Sequence, residues 1–401
     1  ETRRADVPRL VERWLDALDA QGRYALIKLI TGSLRIGVSA RLAKTALAEW
    51  GGQNVDDIEE VWHGLTPPYL PLFAWLEGRE ERPAVGEGAG FRPLMLANPL
   101  EDEDIAALDA ALYRAEWKWD GIRVQLVAKG GECRIYSRTG DDIGPAFPDM
   151  LEAMAFDAVL DGELLVLRDG AVAPFNDLQQ RLNRKTVTAR MLLDFPAHVR
   201  LYDILFDGPE DLRQQGFDER RRRLEDWYAR TLPRRMDLSP MLPFSTWGEL
   251  AELRDGARES SIEGLMLKRF DSPYVAGRPK GPWFKWKRDP HVIDAVLMYA
   301  QRGHGKRSGY YSDYTFGVWT EEGTLTPVGK AYFGFTDEEL KQIDKFVRDH
   351  TTDRFGPVRA VRAERDFGLV LEIAFEGLQR STRHKSGVAM RFPRVSRIRW
   401  D

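Results

Sequence analysis

Charged side chains interrupt four segments that are otherwise typical of buried β-strands, and this feature constrains the fold most strongly. Alternate side chains of a strand share a face, so Glu116, Lys118 and Asp120 are expected on one face and two tryptophans on the other. Unpaired charges are costly to bury. The segments are therefore expected to bring their charges together; they are Glu116–Arg123, Leu160–Leu165, Ile262–Lys268 and Trp283–Lys287.

Each segment taken alone has a simpler interpretation, which is an edge strand whose charges face water. In the third segment strict alternation directs Glu263 and Lys268 to opposite faces, so both reach one site only if the chain bends at Gly264 or at the strand end. Together the lysines and acids indicate a site for a nucleoside triphosphate and a metal, with Lys118 as the nucleophile. The chain has no Gly-x-x-x-x-Gly-Lys-Ser/Thr loop, which excludes a P-loop enzyme.

Hydrophobic periodicity divides the chain into three regions and one linker. Residues 1–80 have the spacing of helices, and residues 81–99 are rich in Pro, Gly and charge without a sustained period, as in a linker. Residues 100–289 alternate strands with helices, which indicates an α+β or mixed domain. Residues 290–401 contain five predicted strands and one helix, which suits a small barrel such as an OB-fold, although periodicity does not separate it from other small β folds.

Composition excludes several other classes of protein. The 401 residues are 43% hydrophobic and 30% charged, so a soluble globular chain is expected, and no apolar run approaches the roughly 20 residues of a membrane span. One cysteine, Cys133, and six histidines without i, i+4 pairing leave no zinc or disulfide framework, so any metal is expected to be oxygen-ligated Mg²⁺. The net charge is −4, yet the part from Trp283 onward has 21 Lys and Arg against 16 Asp and Glu, which is compatible with a polyanionic partner.

A series of motifs in a fixed order makes the chain resemble the ATP-dependent DNA ligases. This family belongs to the covalent nucleotidyltransferases, which include RNA ligases and messenger-RNA capping enzymes. Lys118, Asp120, Gly121 and Arg123 match the family's Lys-x-Asp-Gly-x-Arg signature. The later motifs are matched by Ser137–Arg138, Asp161–Glu163, Leu201–Ile204, Glu263–Gly264 with Lys268, Lys285 with Lys287, and Arg391–Arg394. The resemblance extends from about Tyr24 to Trp400.

The resemblance implies a role for each matched residue. Lys118 would attack the α-phosphate of ATP to give lysyl-AMP and release pyrophosphate, while Glu116 would accept the adenine amino group. Glu163 and Glu263 would hold Mg²⁺. The other implied nucleotide contacts are Arg123 and Arg138 at the ribose or 5′-phosphate, Tyr202 stacked on the base, Lys285 and Lys287 at phosphate oxygens, and Arg391 at the β- and γ-phosphates. The last contact requires the C-terminal domain to close over the cleft.

The resemblance also implies a fold and a function. The fold would be multidomain, with a partial all-α DNA-binding domain, an α+β nucleotidyltransferase (adenylation) domain and a β-barrel OB-fold domain. The function would be the sealing of nicks in duplex DNA through lysyl-AMP and a DNA-adenylate, by a monomeric cytoplasmic protein that serves replication, repair or recombination without contacting a membrane. The alternatives are an RNA ligase, a GTP-using capping-type nucleotidyltransferase, and a non-catalytic protein that binds duplex DNA.

The N-terminal region matches only part of the family's helical domain. Tyr24–Trp50, with Gly32–Ser39 at its centre, resembles the last part of that domain, and about 80 residues precede the linker, roughly half of its usual length. A truncated or reduced version is therefore expected.

Two further segments of the chain are rich in basic residues. Arg220–Arg223 lies on a predicted helix and is most simply a solvated face paired with neighbouring acids. Arg302–Gly309 is basic and glycine-rich, so it suits a contact with a DNA phosphate strand or, equally, an ordinary hairpin.

Overall fold

Helices form the N-terminal part of the chain in the computed structural model, which describes residues 6–31, 37–62, 65, 67–83, 90–182, 184, 186–257, 261–303, 308–382 and 384–400. Ser39 caps the third helix by accepting a hydrogen bond from the Leu42 amide, and left-handed Gly52 ends it. The helices in the described part of this region are α1 (Val7–Ala17), α2 (Ala20–Ile30), α3 (Ala40–Gly51), α4 (Val55–Trp62) and α5 (Leu70–Leu76).

Only the last three of these helices share a buried core. Ile58, Val61 and Leu72 are buried between α3, α4 and α5, whereas α1 and α2 bury no side chain. The predicted helices of this region agree with the structure to within a few residues. Residues 32–36, which form most of the Gly32–Ser39 resemblance, lie outside the described residues.

The middle of the chain forms two sheets with helices between and around them. The helices are α6 (Asp102–Ala107), α7 (Pro148–Leu151), α8 (Phe175–Gln179), α9 (Ala189–Asp194), α10 (Phe217–Thr231) and α11 (Trp247–Gly256). The strands are β1 (Asn98–Pro99), β2 (Tyr113–Trp119), β3 (Ile122–Lys129), β4 (Glu132–Ser137), β5 (Ala158–Arg168), β6 (Ala171–Val172), β7 (Ala197–Asp207), β8 (Glu210–Asp211), β9 (Met236–Leu238), β10 (Met241–Leu242), β11 (Ile262–Arg269) and β12 (Trp283–Lys287). One sheet has the order β1-β12-β11-β2-β10, and the other has the order β4-β3-β5-β7-β8 with β6 on β5 and β9 on β7.

A break at Asp120 and Gly121 connects the two sheets. The sequence predicts one continuous strand from Glu116 to Val127, and this prediction is wrong because β2 belongs to the first sheet and β3 to the second. Gly121 lies so close to β5 that a Cβ there would stand 2.6 Å from the carbonyl oxygen of Leu164. A glycine is thus required at the corner where the chain passes from one sheet to the other, and the sheets face each other across a cleft.

The predicted linker, 81–99, is a linker for at most part of its length. Phe91, Leu94 and Met95 are buried in a core shared with β5 and β7. β1 pairs in parallel with β12 through Asn98 and Pro99. The apolar residues of this segment, interrupted by proline and glycine, follow neither strand nor helix spacing, so the sequence pattern does not indicate their burial. Because they are buried against β5 and β7, residues 90–99 belong to the two-sheet region.

The C-terminal part of the chain is a seven-stranded sheet packed around one helix. Its elements are β13 (His291–Arg302), β14 (Tyr311–Trp319), β15 (Leu325–Ala331), α12 (Asp337–Asp349), β16 (Thr351–Phe355), β17 (Val358–Val361), β18 (Val370–Phe375), β19 (Gly377–Arg380), β20 (Val388–Arg391) and β21 (Arg394–Arg399). β13 pairs with β14, β17 and β18, while β19 and β20 form a separate hairpin. Residues 304–307, at the centre of the basic Arg302–Gly309 segment, lie outside the described residues.

The four-arginine run on α10 is not a uniformly solvated face. Arg222 does pair with Glu219 and Asp226 at the surface. Arg220, however, is completely buried, and its guanidinium binds both carboxylate oxygens of Asp203 on β7 at 2.8 and 3.0 Å. The prediction is wrong for Arg220 and for Arg221, which is also buried, because a run of identical charges gives no indication of which helix face meets the sheet.

None of the helices in the described part of the chain combines the length and the apolar character needed to cross a membrane.

Replacement of Gly264 is expected to destabilise the fold strongly. Gly264 has a φ of +147°, and a Cβ there would overlap the carbonyl oxygen of Trp286 on the neighbouring strand. Gly264→Ala should therefore lower the free energy of unfolding by roughly 3 kcal/mol. Urea denaturation followed by circular dichroism measures the change.

A matched glycine in a helix provides the control. Gly248 on α11 has open space around its Cβ position, with no atom nearer than 3.8 Å. Gly248→Ala should raise stability by about 0.5–1 kcal/mol. Equal effects of the two substitutions would contradict the close approach of β11 and β12.

Candidate active site

Lys118 lies in a cavity of about 350 Å³ between the two sheets. β2, β11 and β12 contribute one wall, and β3, β5 and β7 contribute the other. Seven of the residues proposed from the sequence line this cavity, namely Glu116, Lys118, Arg123, Arg138, Glu163, Tyr202 and Lys285. Glu263, Lys287 and Arg391 do not line it. Glu263 contacts Lys118, which does, whereas Lys287 approaches Glu263 and Arg391 contacts Asp120.

The Lys118 amine is in direct contact with Glu263. Nζ of Lys118 donates a hydrogen bond to Oε2 of Glu263, and Nζ of Lys287 lies 3.8 Å from the same oxygen. Burial alone would raise the pKa of Glu263, but the ammonium groups of Lys118 and Lys287 bring that pKa below its ordinary value. The carboxylate therefore stays ionised between two lysines.

A bulge in β11 explains how Glu263 reaches this position. The pairing of β11 with β2 changes register between Ile262 and Gly264, so Glu263 has no partner across the strand. The bend that the sequence requires at Gly264 is present. As a result, Glu263 meets Lys118 while Lys268, further along the strand, reaches the cavity from the same sheet.

Carboxylates concentrate at the Lys118 end of the cavity. Burial raises the pKa of Glu163 to about 8, opposed by Lys118 and Arg123 and reinforced by Glu263 and Asp120. Burial also raises the pKa of Asp120, although its contact with Arg391 acts in the opposite direction. Such mutual destabilisation of negative charges is relieved when a cation binds among them. Among the described residues, no group of three or more His, Cys, Asp or Glu side chains could enclose an ion by itself.

Cations gather next to these acids. Burial lowers the pKa of Lys285, and the nearby charges of Arg278, Lys287, Lys118 and Arg138 lower it further. Cations held this close repel one another, so an anion such as a phosphate group would be attracted to the space between them.

The opposite end of the cavity is formed by a buried ion pair and aromatic rings. Nζ of Lys268 donates to Oε2 of Glu116 at 2.7 Å, and Arg221 reaches the other oxygen of Glu116 at 3.4 Å. The rings of Tyr202 and Trp283 line the same space. Sequence reasoning placed Lys268 in a motif but not among the site residues, and it missed Arg221 and Trp283. The register of the strands places Lys268 against Glu116 and Trp283 beside Lys268, and the packing of α10 places Arg221 against Glu116.

Arg123 is fixed in place by the protein itself. Its guanidinium donates to the Met95 carbonyl and to Asp161, both at 2.7 Å, and Asp161 also accepts from the Tyr274 hydroxyl at 2.6 Å. The buried Nε of Arg123 has no partner, and neither has the buried indole Nε1 of Trp283. Two donors in the wall of one cavity therefore remain for a bound molecule to satisfy.

Arg391 connects the C-terminal sheet region to the signature segment. From β20 it donates to Asp120 with both terminal nitrogens of its guanidinium, one of them at 3.0 Å. A second cavity of about 460 Å³ at this junction is lined by Asp120, Glu263, Phe175 and Arg391, among others. Arg391 thus contacts a residue that lies two positions after Lys118, although Arg391 and Lys118 are far apart in the chain.

Comparisons with known proteins agree with this geometry. A family described as ATP dependent DNA ligase domain matches residues 94–287, and the ATP dependent DNA ligase C terminal region matches residues 307–401. The chain is 34% identical to a probable DNA ligase of Koribacter versatilis, with 98% of this chain and 71% of that protein covered. It is 32% identical to DNA ligase 1 of Korarchaeum cryptofilum, with coverages of 96% and 70%. A solved structure from a study of Lig E DNA ligases has a similar fold, with a TM-score of 0.53, 21% identity, and coverages of 77% and 100%.

Stability in the absence of divalent metal is expected to fall as pH rises from about 5 to 8. In this interval the unfolded chain has lost the Glu163 proton while the folded chain retains it, because the folded pKa is about 8. The folded state then binds more protons, so the free energy of unfolding decreases by up to about 1.4 kcal/mol per pH unit. Urea titrations in EDTA at several pH values measure this slope.

The variant Glu163→Gln carries no titrating group at this position and should lose that part of the slope. It should gain stability relative to the unmodified protein at pH 8 and little at pH 5. Parallel pH dependences for the two proteins would contradict the raised pKa of Glu163.

Proposed function

The chain belongs to the ATP-dependent DNA ligases, and we propose that it seals nicks in duplex DNA by forming a lysyl-AMP intermediate on Lys118. One observation carries the assignment of the nucleophile. The Lys118 amine lies in the cavity and contacts the Glu263 carboxylate beside it, while the cavity walls offer cations for phosphates and aromatic rings for a base. No observation favours an RNA ligase, a capping enzyme or a non-catalytic binder.

The first step is the transfer of AMP to the enzyme. Nζ of Lys118 would attack the α-phosphorus of ATP, so an N–P bond forms, the bond to the bridging oxygen breaks, and pyrophosphate leaves with the electron pair. The amine gives up a proton in this step. Glu263 is the carboxylate in direct contact with Nζ and is positioned to receive it.

Two further transfers complete the reaction. An oxygen of the 5′-phosphate at the nick would attack the same phosphorus, which releases Lys118 as an amine and leaves AMP on the DNA. The 3′-hydroxyl would then attack the 5′-phosphorus, which closes the backbone and releases AMP.

Other cavity residues would hold the nucleotide. Tyr202 would stack on the base, while Glu116 would accept the adenine amino group. Phosphate oxygens would contact Lys285, Lys287 and Arg138. The Nε of Arg123, which has no partner within the protein, would contact the ribose or 5′-phosphate.

Glu163 and Glu263 would hold a magnesium ion. Proteins usually bind Mg²⁺ through one or two carboxylates and complete its six ligands with water and substrate phosphates. Glu163 and Glu263 fit that requirement. Burial is the main cause of the raised pKa of Glu163, and the charges of Glu263 and Asp120 add to it. When bound, the ion would neutralise oxygens of the triphosphate.

Three domains would divide the work. We assign residues 1–80 to a helical DNA-binding domain, residues 90–289 to the nucleotidyltransferase domain, and residues 290–401 to the OB-fold domain. The helical part contacts the second domain through an ion pair between Glu60 and Arg213. The partner would be nicked duplex DNA bound by a monomer, in the cytoplasm or nucleoid.

Replacement of the nucleophile should abolish self-labelling. With α-labelled ATP and magnesium, the protein is expected to acquire a covalent label that Lys118→Ala lacks entirely, because no other amine occupies that position. Lys129→Ala, at the far end of β3, serves as the control and should label normally. Persistent label on Lys118→Ala would remove this residue as the nucleophile.

The same assay separates the proposed function from the alternatives. Label from ATP but not from GTP, followed by sealing of nicked DNA but not of nicked RNA, supports the proposal. Nick binding without any label would instead indicate a non-catalytic binder.

Arg391 is expected to act in the first step only, because its proposed partners are the β- and γ-phosphates. Arg391→Ala should slow formation of lysyl-AMP by about 100-fold or more. Sealing of a nick that already carries AMP should change by less than about threefold. Single-turnover kinetics with ATP and with pre-adenylated DNA measure the two rates, and equal losses in both would contradict the assignment.

A further inference from the structure

Glu116 is a buried carboxylate bound by two cations. Its side chain is 2% exposed, and the Lys268 side chain that donates to it at 2.7 Å is also 2% exposed. Arg221 approaches the other oxygen of Glu116 from α10 at 3.4 Å. A carboxylate is costly to bury in such surroundings unless cations lie beside it, so these two contacts determine its position.

Aromatic rings hold the Lys268 ammonium in one place. Its Nζ lies 4.6 Å from the ring centre of Tyr202, 4.7 Å from that of Phe217 and 4.8 Å from that of Trp283. The attraction between a cation and the faces of aromatic rings stabilises the Lys268 ammonium at this position in place of water. The carboxylate it binds, Glu116, is therefore fixed as well.

Both Glu116 and Lys268 line the nucleotide cavity, so their pairing has a consequence for the ligand. Trp283, whose ring lies beside Lys268, also has an indole N–H without a partner in that wall. This end of the cavity thus combines an acceptor, Glu116, with an unused donor, which suits a heterocyclic base that has both kinds of group.

We propose that Lys268 is a positioning residue that holds the Glu116 carboxylate in place, so that the site selects a purine with an amino group at its 6-position. The proposal rests on the adenylation activity proposed above. An ionised carboxylate only accepts hydrogen bonds, so it binds a 6-amino group and repels a 6-oxo group. Without the Lys268 ammonium the Glu116 carboxylate would lose its fixed position, and the preference would be lost.

The test compares three nucleotides that differ at the 6-position. ATP has an amino group there, purine riboside triphosphate has hydrogen, and inosine triphosphate has an oxo group. In the unmodified protein kcat/KM for self-adenylation is expected to be about 10- to 100-fold higher with ATP than with purine riboside triphosphate, the effect of one hydrogen bond to a charged group. In Lys268→Met the two values should agree within about threefold, and the disadvantage of inosine triphosphate should shrink.

A second buried lysine provides the matched control. Lys44 is 6% exposed, its Nζ lies 2.6 Å from Glu59, and it lies 5.0 Å from the ring centre of Trp62, but it belongs to the helical region away from the cavity. Lys44→Met loses a similar ion pair and should leave the ratio between nucleotides unchanged. If Lys268→Met instead lowers all three values by the same factor, the role of Lys268 is structural and the proposal is overturned.

Two more variants keep the test decisive. Glu116→Gln should lose the same preference, and adding Lys268→Met to it should change the ratio no further, because the two residues act as one unit. Should Lys268→Met fail to fold, Lys268→Gln retains a donor without the charge and is expected to reduce the preference by at least threefold. An unchanged preference in Lys268→Gln would contradict the need for a cation.

The outcomes also separate this inference from the function on which it rests. If the unmodified protein forms no adduct with ATP, the proposed function fails. If it forms the adduct and prefers ATP while the Lys268 variants keep that preference, only the role of Lys268 fails.

Discussion

Compensation of charge across the cleft between the two sheets is the constraint on which the rest of the structure depends. Each strand that enters the cleft carries a lysine, an arginine or an acid that would be unfavourable to bury alone. Lys118 with Glu263, and Lys268 with Glu116, connect β2 to β11 by ion pairs as well as by backbone hydrogen bonds. These ion pairs reduce the cost of burying charge in the cleft. They also leave a surplus of acids at one end of the cleft and a surplus of cations beside it. That surplus is what a triphosphate and a divalent cation would neutralise.

Sequence periodicity predicted the regular elements well and the junctions poorly. The strand predicted over Glu132–Ser137 coincides with β4. The helix predicted over Phe217–Ala229 ends two residues before α10 does, and the helix predicted over Thr336–Asp349 begins one residue before α12. The break at Gly121 was missed because Asp120 and Gly121 continue the alternation of charge that precedes them, and only the close approach to Leu164 requires the corner. The sequence predicts a linker over the segment 90–99 because its burial depends on packing against β5 and β7, and a local pattern contains no information about such packing.

The sequence predicts the residues of the candidate site more completely than it predicts which side chains contact them. Motif order brought Lys118, Glu163 and Lys285 to attention, and the structure gathers them around one cavity. The register of β2 against β11 decides that Glu116 meets Lys268, and a single bulge decides that Glu263 meets Lys118. Such pairings depend on distances between strands that are far apart in the chain. A list of motifs contains no information about them.

The bond between Arg391 and Asp120 has a consequence for how the protein responds to ionic strength. This pair connects the C-terminal sheet region to the segment that carries Lys118, and the Arg391 side chain is 22% exposed. Dissolved ions weaken a partly hydrated pair and so favour opening. They also weaken attachment to a polyanion, because the release of counterions into a more concentrated salt solution is less favourable. If the proposed DNA partner is engaged only when the C-terminal sheet region has moved away, salt would accelerate one half of the proposed reaction cycle and retard the other, and turnover would pass through a maximum at intermediate salt.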